Sequence, residues 1–137
     1  MEYQHAGEDF ERFLLAAIEN AGLTTRNQAY TMVQAVFLVF RRRLDLADAI
    51  AFANVLPPLQ RALFVADWDT SEPRLPLASL AEMTQEAQGL RRHHNFSPDT
   101  CIQDVAKALR QTMDEAALDR LLAGWPEEVR NFWAADV

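Results

Sequence analysis

Val55-Leu56-Pro57-Pro58-Leu59-Gln60-Arg61-Ala62-Leu63-Phe64 runs a helical pattern into a proline, sets an arginine four residues after Pro57 and closes on a bulky apolar pair. Gly124-Trp125-Pro126-Glu127-Glu128-Val129-Arg130-Asn131-Phe132-Trp133 does the same, with Arg130 four residues after Pro126. A pattern that returns at a fixed interval points to internal repetition, and that reading organises the rest of the chain. A shift of 69 positions pairs Val33 with Ile102, Phe40 with Leu109, Arg41 with Arg110, Asp45 with Asp114, Pro57 with Pro126, Arg61 with Arg130 and Phe64 with Trp133. A shift of 67 pairs Phe10 with Leu77, Phe13 with Leu80 and Gly22 with Gly89. The two shifts differ between the first and second helices, where connection length varies at little cost. The expected fold is a single all-α domain over 1–137, a bundle of two tandem repeats of about four helices each. The repeats fall at about 10–64 and 77–133, with a linker at 66–76.

The elements follow from local signals. Phe10, Phe13, Leu14, Ala17, Ile18 and Ala21 form the stripe of an amphipathic first helix. Gly22 stands where a left-handed C-terminal cap belongs, and Thr25-Arg26-Asn27-Gln28 reads as a capping box. In the second helix only Gln34 is polar between Met32 and Phe40, the composition of a buried central helix. Arg41-Arg42-Arg43 sits in its last turn, where cations complement the helix dipole. Asp45 caps a third helix expected to bury Leu46, Ala49, Ile50 and Ala53. Pro57-Pro58 ends it and starts a short fourth helix carrying Leu59, Leu63 and Phe64. Ala66 to Pro76, with two prolines and no periodicity, is a linker. Ser79-Leu80-Ala81-Glu82 reads as a second capping box, Ser97-Pro98 as a helix start and Asp114 as the cap of the next helix.

Half of the 137 residues are apolar and about a quarter charged, ordinary globular usage. The start, Met1-Glu2-Tyr3-Gln4-His5, lacks the features of a signal peptide, and no apolar run is long enough for a membrane span, so the expected location is cytoplasmic. A net charge of −7 disfavours nucleic acid and anionic membrane as partners. Cys101 is the single cysteine and reads as a small apolar helix residue.

The Phe-rich first helix, the Ala-Gly-Leu break, the aspartate-capped helix, Leu56-Pro57 followed by Arg61, and the later Trp68 together resemble a bacterial family, the domain of unknown function 2267. Trp125-Pro126 and Arg130 form its more divergent second copy. The resemblance implies an all-α domain with an internal duplication. It brings no established activity, cofactor or catalytic residue.

No catalytic, cofactor or metal site is expected. Adjacent His93 and His94 would point about 100° apart on a helix; they read, with Arg91 and Arg92, as polar groups at a helix C-terminus. Glu82 and Glu86 share a face without the Glu-x-x-His of a di-iron bundle. Asp67-Trp68-Asp69 with Glu72 lacks the glycine and spacing of a calcium loop. There is no phosphate-binding glycine loop and no nucleophile elbow.

Arg61 and Arg130 are expected to bond free carbonyls or a capping carboxylate, with anion binding as the sharper alternative. The expected function is a non-catalytic interaction or assembly module with an unidentified protein partner. The alternative is a ligand-binding protein or enzyme using the groove between the repeats. The all-apolar helix Met32–Phe40 contrasts with its counterpart, whose outer face carries Gln103, Asp104, Lys107 and Arg110. It is expected at the centre of a monomer rather than in a homodimer interface. That leaves Asp67, Trp68, Asp69 and Glu72 as the expected partner surface.

Overall fold

The computed structural model of the chain describes residues 3–91 and 93–135, and among these it is wholly helical, with eight helices and no strand. The first four are α1 (Ala6–Ala21), α2 (Arg26–Arg41), α3 (Leu46–Val55) and α4 (Pro58–Val65). After the linker come α5 (Leu80–Gly89), α6 (Cys101–Thr112), α7 (Glu115–Leu122) and α8 (Glu127–Phe132). Several ends are set by residues the sequence marks. Gly22 adopts the left-handed conformation, φ 68°, and closes α1. The Thr25–Gln28 capping box is complete in both directions. Asp45 accepts the Asp48 amide and Asp114 the Ala117 amide, so the two aspartates cap α3 and α7 in the same way. Pro57 and Pro126 stand at the N-terminal boundaries of α4 and α8.

α2 lies at the centre. Met32, Val33, Val36, Phe37, Val39 and Phe40 on it are all buried. Around its C-terminal half, Phe40 packs on Phe132 at 4.8 Å, Phe52 at 5.0 Å and Trp133 at 5.2 Å between ring centroids. Tilted and edge-on aromatic pairs of this kind add directional energy to their buried area. The residues before the linker and those after it interlock. α1 packs most extensively on α6, α2 packs on α5 as well as α1, and α3 meets α7.

Several local expectations are corrected. Leu46 and Ile50 point outward, at 52% and 50% exposure, and α3 buries Ala49, Phe52 and Ala53 instead. Leu59 is also exposed, while the neighbouring Gln60 is wholly buried with neither amide atom partnered. Gly89 is the last helical residue of α5 and has no positive φ; the left-handed residue there is Arg91, at φ 50°. Ser79 caps α5 from its hydroxyl without the reciprocal half of a capping box. Ser97 does not start α6, because its hydroxyl donates to Asn95 Oδ1. The Asn95 amide in turn donates to the carbonyls of Ala87 and Leu90 at the end of α5. α6 begins at Cys101, after a turn closed by the Cys101 amide on the Pro98 carbonyl. His93 and His94 lie in a turn beyond α5 rather than on a helix, and Arg92 lies outside the described residues, as do Met1 and Glu2. Asp104, expected on the outer face of α6, is buried.

Candidate functional site

The three arginines that end α2 have different fates. Spacing decides this: Arg41 falls one turn after Phe37 and so continues the buried face. It is only 8% exposed. Its Nη1 donates to the Phe64 carbonyl at 3.1 Å and the Ala66 carbonyl at 3.0 Å, the free carbonyls at the end of α4. Its guanidinium lies 5.1 Å from the centre of the Trp68 ring. Burial pushes the pKa of Arg41 down; the charges of Glu72 and Asp67 oppose that, and Arg42 adds to it. Among the described residues no carboxylate comes within ion-pair distance of Arg41. Arg42 and Arg43 instead share Glu86 of α5, at 3.0 and 2.8 Å. Hydrogen bonds from Arg43 chiefly, and from Arg42, hold the Glu86 carboxyl below the usual carboxylate range, while burial acts against them. The triplet is therefore a set of tertiary contacts and not only a complement to the α2 dipole.

The linker folds back over this end of α2. Asp67 turns the chain out of α4 with φ 54°, a left-handed conformation that aspartate tolerates better than most residues. Asp69 accepts from the amide and hydroxyl of Ser71, which lowers its pKa. The Leu75 amide donates to the Arg42 carbonyl at 2.9 Å, and Arg74 approaches Asp45 at 3.8 Å. Trp68 is half-buried on Arg41; Asp67, Asp69 and Glu72 are exposed. The structure thus brings Asp67, Trp68 and Glu72 of the linker together with Arg41, which the sequence marked only as a cation in the last turn of its helix. The signal was available in its helical phase and in its pairing with Arg110.

Two cavities flank Arg41. One of about 290 Å³ lies between α2, α4, the linker and the end of α5; Gln34, Leu38, Phe64, Asp67 and Arg91 contribute to its wall. The other, about 480 Å³, is bounded by Leu46, Trp68, Glu72 and Arg74. A larger, open depression of about 1190 Å³ lies between the end of α1 and the second half, and includes Asn20, Lys107, Arg110 and Arg130.

Arg61 and Arg130 share none of these cavities with each other. Arg61 donates from Nε to the Ala53 carbonyl at 3.1 Å and from Nη2 to the Leu56 carbonyl at 3.0 Å. Arg130 donates from Nη1 to the Trp125 carbonyl at 2.6 Å. Both therefore engage the carbonyl of the residue before the proline at their own helix's N-terminal boundary, five residues back. Cys101 and Asp104 are buried side chains of α6. Burial, with the Asp104 charge second, pushes the Cys101 thiol up to about 11, which suppresses the thiolate. Burial also raises the pKa of Asp104, opposed by the Thr100 hydroxyl that donates to it at 2.7 Å. Among the described residues no three His, Cys, Asp or Glu side chains are grouped to hold a metal ion, and no helix is long and apolar enough to cross a membrane.

The family model described as "Uncharacterized conserved protein (DUF2267)" matches residues 10–132. The chain belongs to this family. No curated protein matches it. The DUF2267 match runs from within α1 to the end of α8, so the linker, Arg41 and Trp68 lie inside the family's unit rather than in an appendage to it.

Proposed function

We propose that this DUF2267 protein is a non-catalytic interaction module, one domain built from two copies of a four-helix unit, which presents its linker side to a protein partner. The duplication is supported by equivalent bonds. Arg41 donates to the Phe64 carbonyl and Arg110 to the Trp133 carbonyl, each across 23 residues. The Arg61–Leu56 and Arg130–Trp125 bonds each span five. The partner surface comprises Asp67, Trp68, Asp69 and Glu72.

One observation carries the choice of face. The linker packs Trp68 onto Arg41, leaves its carboxylates at the surface, and adjoins Leu46, a half-exposed apolar side chain in the same cavity wall as Trp68. An amphipathic aromatic beside an apolar side chain inside a charged rim has the composition of an interface centre. Arg61 and Arg130 serve the fold through their carbonyl bonds. The protein is monomeric on this reading, since α2 is covered by its own chain.

The second reading, a small-ligand-binding protein or enzyme using the groove between the halves, has the cavity of about 290 Å³ in its favour, since Leu90 and Arg91 from beyond the linker help to close it. Affinity purification from the native cell with wild type, Trp68→Ala and Glu72→Arg, against Lys107→Glu on the opposite depression, tests the face. Partners lost from the linker variants and kept by Lys107→Glu support it. Partners kept by every variant overturn it.

A further inference from the structure

We propose that Arg41 is the receptor for a carboxylate carried beside an apolar group, taken up where α2, α4 and the linker meet. The inference rests on the linker side being the binding face, and it names the chemistry recognised there.

A buried charge is ordinarily paired, because desolvation costs more than isolated carbonyl bonds return. Arg41 departs from that pattern. Both of its carbonyl bonds come from Nη1. Nε has no acceptor, and Nη2 donates to no described residue. Trp68 covers the guanidinium from one side, which lowers the ordering cost of a fork-shaped donor. The adjacent cations do not compete for a ligand, since Arg42 and Arg43 are engaged by Glu86.

The other half of the molecule is an internal control. Arg110 occupies the equivalent position, and its Nε donates to the equivalent carbonyl, that of Trp133, at 2.8 Å. Its Nη1 is then met by two carboxylates, Asp119 at 2.7 Å and Glu115 at 3.2 Å. The residues 69 positions before these acids are Leu46 and Ile50. The first half thus keeps the arginine and replaces both of its acids with exposed apolar side chains, and Leu46 borders the same cavity as Arg41. A ligand that supplies a carboxylate to Arg41 and lays an apolar group on Leu46 restores what Glu115 and Asp119 provide to Arg110. Flanking cavities of about 290 and 480 Å³ admit a short-chain carboxylate or one acidic side chain with an apolar neighbour. Glu72 and Asp67 on the rims already attract Arg41 at a distance, so affinity is modest and sensitive to salt.

Titration of the ¹⁵N-labelled full chain with hexanoate, with a capped Leu-Glu-Leu tripeptide amide and with hexanol separates the sources. Hexanoate or the tripeptide shifts the Trp68 indole and Arg41 Nε–H signals, and hexanol does not. A tighter response to hexanoate identifies a free small carboxylate, and a tighter response to the tripeptide an acidic side chain of a partner. Arg41→Gln removes binding but also two bonds of the fold, so Leu46→Glu is the decisive variant. It supplies the carboxylate in cis at a half-exposed position, raises the melting temperature and weakens either ligand about tenfold or more. Trp68 signals unmoved by both carboxylates, or Leu46→Glu binding as wild type does, overturns the proposal. If the carboxylates bind at Trp68 while linker variants keep every protein partner, the protein-partner reading falls and the carboxylate site stands.

Discussion

The Nε of Arg110 donates to the Trp133 carbonyl at 2.8 Å, and this bond joins the last turn of α6 to the end of α8. The corresponding bond, from Nη1 of Arg41 to the Phe64 carbonyl at 3.1 Å, joins α2 to the end of α4. In each half of the chain an arginine near the end of a buried helix reaches a carbonyl at the end of that half's last helix. What differs is the charge around the arginine: two carboxylates at Arg110, an aromatic face at Arg41.

The halves depend on each other. α1 packs chiefly on α6 and α2 packs on α5, so a fragment of residues 1–76 leaves the central helix uncovered. Such a fragment is expected to show no cooperative thermal transition as a monomer by circular dichroism. A sharp two-state melt of monomeric 1–76 would show that the first unit folds alone.

Arg61→Ala removes the side-chain donor to the Ala53 and Leu56 carbonyls and is expected to cost about 1–3 kcal/mol in urea unfolding. Arg130→Ala removes one bond from an exposed side chain, where water replaces it, and costs less than about 1 kcal/mol. Equal losses would contradict the burial argument.

Glu86 ties α5 to the end of α2 through Arg42 and Arg43, with the Arg43 side chain 6% exposed. Glu86→Gln is expected to cost about 1–3 kcal/mol at neutral pH. The folded carboxyl is depressed, so its contribution is full above the unfolded-state pKa and is lost as pH falls through the folded value. The gap between wild type and variant therefore narrows below about pH 4. A gap that stays constant down to acid unfolding would remove Glu86 as the cause.

Gln60 is wholly buried with both amide atoms unpaired. Gln60→Met keeps the shape and removes the unmet polar atoms, and is expected to raise stability by about 1–3 kcal/mol. Calorimetry showing a lower melting temperature would mean that the amide is satisfied in solution.

Local chemistry in the sequence determined where helices begin and end. Gly22, the Thr25–Gln28 box, Asp45, Asp114 and the prolines before α4 and α8 act through bonds to backbone within a turn, and such signals need no partner element. The all-apolar run of Met32 to Phe40 likewise placed α2 at the centre, because no other position removes every face of a helix from water. Ser97-Pro98 misled because the serine hydroxyl has a competing acceptor in Asn95, whose amide seals α5. Leu46 and Ile50 misled because helical period marks a stripe without saying which side meets the core; tertiary packing gave that side of α3 to Phe52. The linker residues could be named from composition, but their joining with Arg41 could not. That pairing depends on where the end of α4 delivers its carbonyls and on how the linker returns across α2. Sequence alone therefore determined the elements and the buried centre. Only the packed structure decided that Arg110 is met by carboxylates and that Arg41, among the described residues, is not, because that is set by groups brought together from separate helices.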